Sequence, residues 1–438
     1  MNKKAALHNL GCKVNAYEME AMRRLLVEAG YEIVPFAPGA DVYVINTCTV
    51  TNIADRKSRQ MLHKAKKMNP RAVVVAAGCY SQTSREAVEA DPCVDIVLGN
   101  NRKGELVEAL ELYQAAGASG GVYSRITEIE KENACESLQV EETSERTRAS
   151  LKVQDGCNQF CSYCIIPYAR GRIRSREAED VCREVETLTG NGCREIVLTG
   201  IHLSSYGKDH GSSLQELICR VHEIEGVKRI RLGSLEPGII TREFARAMGS
   251  LEKLCPHFHL SLQSGCDATL KRMNRHYTTE EYREKCLLLR EIFYEPALTT
   301  DVIVGFPGET EEEFGQTAAF LEEIGLYETH IFKYSRRKGT RAASMPDQVP
   351  ESIKNERSAF LIRLGEKNRA AFEEKHLGRE AEVLFEEKIS LDGKEYYTGY
   401  TKEYIKGALP ANQDYTNQCQ RGVLGKKIGE HLYLLENH

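Results

Sequence analysis

"VQDGCNQFCSYCIIPYARG", residues 153 to 171, sets Cys157, Cys161 and Cys164 in one short loop between a strand-like run and a basic stretch. A closed zinc site is four-coordinate and needs a fourth Cys or His within reach. The next cysteines, Cys182 and Cys193, fall in an expected helix and its C-terminal turn, without a paired spacing. Three thiolates instead suit a cubane iron–sulfur cluster whose fourth iron stays open to a ligand.

Six strand-like runs start with this one: "ASLKVQDG", "EIVLTG", "RIRLGSLEP", "HFHLSLQSG", "TTDVIVGFPG" and "HIFKYS". A helix-length segment separates each pair, which predicts a (β/α)6 partial barrel with its chemistry on the loops after the strands. The cysteine loop follows the first strand, where catalytic groups belong. Downstream, a charged helix from 351 leads into "EAEVLFEEK", "KEYYTGYTKEYIKGAL" and "EHLYLLEN", which alternate like strands of a small all-β module.

Upstream, "KAALHNLG", "DVYVINTC", "AVVVAAGC" and "DIVLGN" alternate with helical periods, among them a long basic helix from Asn52 to Met68. That order predicts a parallel sheet covered on both faces. Cys12, Cys48 and Cys79 end three successive strands, 36 and 31 residues apart. Consecutive ends of a parallel sheet converge on one edge, so the three thiols are expected to be neighbours. Each alone reads equally well as a buried strand cysteine; all three at corresponding places point to a second cluster. The expected organisation is residues 1–122, a polar linker over 123–147, the barrel over 148–370, and the β-module over 371–438. The fold class is α/β throughout, save for that last module.

Composition bounds the rest. The 438-residue chain has a net charge of −5 and fifteen cysteines. No apolar run approaches the roughly 18 residues that span a bilayer, and the N-terminus turns polar too early for a secretory signal. A cytoplasmic location without a membrane partner is expected, where thiols stay reduced and read as metal ligands or small buried hydrophobes.

The cysteine loop resembles the signature of the radical S-adenosylmethionine superfamily. The resemblance implies a [4Fe–4S] cluster on Cys157, Cys161 and Cys164 whose open iron chelates S-adenosylmethionine, cleaved on one-electron reduction to a 5′-deoxyadenosyl radical. Tyr163 fills the aromatic place before the last cysteine, next to the adenine. With Cys12, Cys48 and Cys79 added, the chain is similar to the methylthiotransferases over nearly its whole length: a cluster domain, a radical barrel and a C-terminal barrel of the TRAM type. "HNLGCKVNAYEMEAM", "NTCTVTNIADRKSRQ" and "LQSGCDATLKRMNRHYT" look most like the MtaB branch, which converts N6-threonylcarbamoyladenosine beside the anticodon of certain tRNAs to its 2-methylthio form. Sister branches act on isopentenyladenosine in tRNA or on a ribosomal protein. The resemblance implies two [4Fe–4S] clusters, two roles for S-adenosylmethionine, an external electron donor and a tRNA anticodon arm as partner, with no DNA.

Such chemistry is needed because the C2–H of adenine has no acidic proton. Acid–base catalysis supplies about 10²- to 10⁴-fold, so the difficult step belongs to cofactors. A non-catalytic iron–sulfur carrier or scaffold is the alternative class. Carriers coordinate every iron, whereas each group here has three thiols.

Thr199 and Gly200, ending the second barrel strand, are candidates for the methionyl amino group. Glu236 in "SLEP" and Gln263 in "LQSG" are candidates for ribose or carboxylate. Turn chemistry and helix capping explain these four equally well. His202, His257 and His259 read as packing or surface groups. Three basic runs, "RGRIRSRE", "KRMNRHY" and "YSRRKGTR", are expected to track RNA phosphates, and the first or third to supply an arginine for the threonylcarbamoyl carboxylate. The last module has nine Lys/Arg against twelve Asp/Glu over 371–438, so it would grip RNA through aromatics such as Tyr396, Tyr397, Tyr400 and Tyr404.

Overall fold

The computed structural model describes residues 3–117, 121–141 and 147–436. Strands β1 (Lys4–Asn9), β2 (Glu32–Ile33), β3 (Val42–Thr47), β4 (Val73–Gly78), β5 (Ile96–Leu98) and β6 (Tyr123–Arg125) form one sheet in the order β2-β1-β3-β4-β5-β6. Every pairing in it is parallel. Val44 and Val75 pack under the helices Lys13–Glu28 and Leu106–Ala116, while Tyr43, Ile45, Val74 and Ala76 pack under Asn52–Met68 on the other face. Burial on both sides is why these strands read as continuous Val/Ile/Ala runs. The short edge strands β2 and β6 escape a hydrophobic reading.

Six further parallel strands make the partial barrel: β7 (Arg148–Asp155), β9 (Glu195–Gly200), β10 (Arg229–Leu232), β11 (His257–His259), β12 (Ala297–Val304) and β13 (Glu328–Lys333). The two-residue β8 (Arg174–Ser175) turns back antiparallel on β7. Between β10 and β11 the continuity rests on the single bridges Ile230–Leu254 and Leu235–Leu260. Ala149, Leu151 and Val153 lie in the apolar core beneath the outer helices, while Ser150, of opposite parity, lines the interior.

Strands β14 (Glu380–Leu391), β15 (Lys394–Tyr400), β16 (Lys406–Pro410), β17 (Cys419–Gly429) and β18 (Leu432–Glu436) close into a small barrel. It seals the N-terminal ends of the large barrel's strands. Arg148 at the start of β7 pairs with Glu386 at 2.5 Å, Arg229 donates to the Tyr400 carbonyl at 2.7 Å, and Arg231 donates to the Thr401 carbonyl at 2.7 Å.

Residues 123–141, expected as linker from their charge, are held against the protein. β6 extends the first sheet, and Leu138 and Val140 are buried in the barrel core. The Tyr17 hydroxyl donates to the Leu138 carbonyl at 2.7 Å. Residues 142–146 of that stretch lie outside the described residues. Among the described residues no helix is long and apolar enough to cross a membrane.

Candidate functional site

Each thiol of the first group is positioned by the end of its strand. The register pairs Asn9 with Asn46 and Thr47 with Gly78, so β1, β3 and β4 finish level. Cys12 is the N-cap of helix Lys13–Glu28. The Cys48 amide donates to Ser58 Oγ at 3.2 Å, and Ser58 Oγ donates back to the Cys48 carbonyl at 3.0 Å. Cys79 begins the helical turn Cys79–Thr83 and accepts a weak bond from Asn100 Nδ2 at 3.5 Å. The thiols interact electrostatically: Cys12 and Cys79 each oppose ionisation of Cys48, whose pKa burial pushes up to about 11. At Gly11 a Cβ would lie 3.1 Å from Cys48 Sγ, so close approach requires the glycine.

The second group occupies the loop after β7. At Gly156, φ is +71° and a Cβ would meet the Arg172 carbonyl oxygen at 1.8 Å. Only glycine permits that closure. The loop rests on 272–274: Ser162 N donates to the Met273 carbonyl at 2.9 Å, Ser162 Oγ to the Arg272 carbonyl at 2.9 Å, and Asn274 Nδ2 to the Phe160 carbonyl at 3.1 Å. Arg275 then donates to Cys161 Sγ at 3.2 Å through Nη1 and to Glu236 Oε1 at 2.6 Å through Nη2. Burial raises Cys157 to about 11 and Cys164 to about 12. Such thiols are protonated until a metal displaces the proton.

The donor set fits clusters better than single ions. Zinc with sulfur ligands at 2.3 Å holds them about 3.8 Å apart. Among the described residues, the groups of potential ligands whose atoms all lie within 4.8 Å of one another include neither cysteine triad. The surroundings also call for negative charge. Among the described residues, Lys103, Lys152, Arg170 and Arg174, none more than 2% exposed, form ion pairs with only Glu18 and Asp155 in one buried network, and the charges of Lys103 and Lys152 also act on Glu136. Nε of Arg170 and Nε and Nη2 of Arg174 are buried without hydrogen-bond partners. Arg170 acts electrostatically on both Cys12 and Cys79, so deprotonated thiols would offset this excess. Arg170 also ends the helix Ile166–Arg170 that leaves Cys164, so one short segment joins the two triads.

The candidate S-adenosylmethionine residues scatter around the second triad. Half-buried Tyr163 stands edge-on to Phe306 at 6.3 Å. Glu236 is tied to Cys161 through Arg275. Burial opposes its ionisation, but His202, 3.6 Å away, and the hydrogen-bonded Arg275 guanidinium prevail and hold its carboxyl below the usual range. Thr199 is buried at the end of β9, and a Cβ on Gly200 would strike Gln154 Oε1 at 2.7 Å. Gln263 has φ +68° and bridges to β12, its amide donating to the Asp301 carbonyl at 2.8 Å.

Several expectations need correction. In "RGRIRSRE" only Arg172 is exposed; Arg170 and Arg174 belong to the buried network and Arg176 pairs with Glu184 at 2.6 Å. In "KRMNRHY", Arg275 sits on Cys161 and Arg272 on Glu313, which leaves Lys271 outside. In "YSRRKGTR", Arg337 is buried against Asp55 and Thr49 of the first domain, which leaves Arg336, Lys338 and Arg341 outside. Tyr400 and Tyr404 stack at 4.6 Å beneath the Arg148 guanidinium, at the junction with the large barrel. His257 and His259, read as packing or surface groups, line a cavity of about 460 Å³ inside the barrel, together with Lys13, Thr299, Asp301 and His330. Period-two alternation carried that signal: with Phe258 in the core, His257 and His259 must both point inward.

The fold and the paired triads define a radical S-adenosylmethionine enzyme with a second thiol-rich centre. The Radical SAM superfamily profile matches residues 151–321, and that of the uncharacterized protein family UPF0004 matches residues 4–99. The chain is 44% identical to the threonylcarbamoyladenosine tRNA methylthiotransferase MtaB of Bacillus subtilis, covering 93% of this chain and 91% of the relative. It is 42% identical to the protein of the same name from Aquifex aeolicus, covering 90% and 95%. With the tRNA-2-methylthio-N(6)-dimethylallyladenosine synthase of Desulfosudis oleivorans it shares 37%, over 92% and 87%. Among solved structures, the radical S-adenosylmethionine methyltransferase TsrM from Kitasatospora setae superposes with a TM-score of 0.56 at 17% identity, covering 76% of this chain and 75% of TsrM, which supports the fold. The chain belongs to the radical S-adenosylmethionine methylthiotransferase family. Membership brings S-adenosylmethionine and two [4Fe–4S] clusters as cofactors.

Proposed function

We propose that this enzyme places a methylthio group on C2 of N6-threonylcarbamoyladenosine beside the anticodon of tRNA, and therefore works in the cytoplasm. The observation that carries the reading is the pair of three-thiol groups joined by the helix Ile166–Arg170, in a chain whose relatives bear that activity in their names. In this reading Cys157, Cys161 and Cys164 hold the cluster that binds S-adenosylmethionine, and Cys12, Cys48 and Cys79 hold the one serving sulfur transfer. When bound, these groups supply the radical and the sulfur that side chains lack.

The chain's own residues position and insulate. Tyr163, Thr199, Gly200, Glu236 and Gln263 are assigned to S-adenosylmethionine. Arg275 orients Cys161 and neutralises Glu236, while Asn274 and Ser162 fix the loop. The division into a cluster domain over 1–122, a tether over 123–147, the barrel over 148–370 and a TRAM-like module over 371–438 belongs to the same reading. The exposed Arg172, Arg336, Lys338 and Arg341 remain as phosphate contacts. The reduced enzyme should be offered threonylcarbamoyladenosine tRNA, isopentenyladenosine tRNA and ribosomal protein together. Methylthiolation of the first supports the reading; preference for either of the others replaces it.

A further inference from the structure

Among the described residues, the cavity inside the large barrel holds one cation that no neighbouring side chain grips. Arg148 and Arg231 both reach Glu195, at 2.6 and 2.8 Å, and donate onward to the small barrel. Glu328 is paired with Arg369 at 3.1 Å. Asp301 lies 3.3 Å from His259 Nε2. Lys13 has no ion-pair or hydrogen-bond partner among the described residues, although its side chain lines the same cavity.

The same cavity has a polar surface on its later strands. His259 Nδ1 and Thr299 Oγ1 are 3.0 Å apart, and the His259 and His330 rings stack at 5.8 Å with an interplanar angle of 18°. The ligand atoms of His259, Asp301 and His330 all lie within 4.8 Å of one another. This trio offers both donors and an acceptor. The volume of about 460 Å³ lies within the range of about 300–1,000 Å³ of small-molecule pockets.

We infer that this cavity receives the substituent on N6 of the target adenosine, with Lys13 pairing the threonyl carboxylate and the His259–Asp301–His330 group bonding its hydroxyl and carbamoyl atoms. The inference rests on the proposed substrate and deepens it. Lys13 directly follows Cys12, so a carboxylate held there sets the base against the first thiol triad. Lys13 thereby takes the part expected for an arginine of "RGRIRSR" or "YSRRKGTR". An apolar isopentenyl group would leave the lysine and the trio unpaired, which a polar site penalises strongly.

The test uses reconstituted full-length enzyme and two anticodon stem–loops, one carrying N6-threonylcarbamoyladenosine and one its uncharged methyl ester. Fluorescence anisotropy gives Kd, and methylthio transfer gives KM and kcat for each. The wild type should prefer the acid by about 10- to 100-fold. Lys13→Met should lose that preference by weakening only the acid, and Lys13→Arg should retain part of it. Iron content guards against damage at Cys12. Should Lys13→Met lose iron, His330→Phe, in the same cavity but far from Cys12 in sequence, decides: it should raise KM for the acid substrate at least about fivefold. Equal binding of acid and ester by the wild type, an unaltered acid preference in an iron-replete Lys13→Met, or, where Lys13→Met loses iron, an unaltered KM in His330→Phe, overturns the inference alone. A wild type that transfers nothing to threonylcarbamoyladenosine RNA overturns the substrate reading, and the inference with it.

Discussion

Arg170 grips Glu18 with both guanidinium nitrogens, Nη1 on Oε1 at 2.7 Å and Nη2 on Oε2 at 3.0 Å. The arginine follows the barrel's cysteine loop and the glutamate lies on the first helix of the cluster domain, so this ion pair ties the segment bearing one triad to the segment bearing part of the other. Lys103 and Lys152 complete the charge balance on the same carboxylate, at 2.6 and 2.8 Å. Removing one member of such a buried group leaves the others uncompensated, at a cost of about 3–5 kcal/mol. Glu18→Gln is expected to lower the thermal midpoint and reduce iron bound by the cluster domain. A melting curve and iron assay matching wild type would show the contact to be dispensable.

The same network fixes an acid limit. Burial alone would raise the pKa values of Glu18 and Asp155, but their cationic neighbours prevail and lower both. A carboxyl with a depressed folded pKa contributes its full stability above its unfolded value and loses it as pH falls through the folded one. Stability should therefore hold down to the ordinary carboxylate range near pH 4 and fall only below it. Chemical denaturation of the apoprotein across pH 3 to 7 would reveal this. In Glu18→Gln the acid-side loss should be smaller.

Much of this arrangement was legible in the residues. Parallel strands buried on both faces announce themselves as Val/Ile/Ala runs, and cysteines at level strand ends follow from the topology. Arginine-rich runs were misleading because local charge does not report direction. "RGRIRSRE" packs inward, since Arg170, Arg174 and Arg176 meet carboxylates from distant segments that sequence spacing does not bring together. The barrel cavity was visible in "HFH" through its alternation, yet Lys13 was not, because it enters from another domain.

Gly156 provides a local test of the cysteine loop. An alanine there would place Cβ 1.8 Å from the Arg172 carbonyl oxygen at a φ of +71°. Left-handed backbone costs a non-glycine residue about 1–2 kcal/mol even without a clash. Gly156→Ala should lose iron from the second triad and keep that of the first. Retention of full iron would show that the loop tolerates a shift.

Arg275 should tune the cluster rather than hold it. It brings a positive charge and a hydrogen bond to Cys161 Sγ at 3.2 Å, and both raise the reduction potential of an iron–sulfur centre. Arg275→Met is expected to retain most iron, shift the potential downward and slow cleavage of S-adenosylmethionine. A potentiometric titration followed by electron paramagnetic resonance measures it; an unchanged potential would leave Arg275 a purely structural role.

The central claim is that two triads hold two clusters with different duties. It is tested most directly by assaying iron, 5′-deoxyadenosine and methylthiolated nucleoside for wild type, Cys48→Ala and Cys161→Ala in parallel. The account predicts about eight irons in the wild type and about half as many in each variant. Cys161→Ala should yield neither product, whereas Cys48→Ala should still release 5′-deoxyadenosine but transfer no methylthio group. A wild type holding about four irons, unchanged by Cys48→Ala, or a Cys48→Ala enzyme that still methylthiolates RNA, would contradict it.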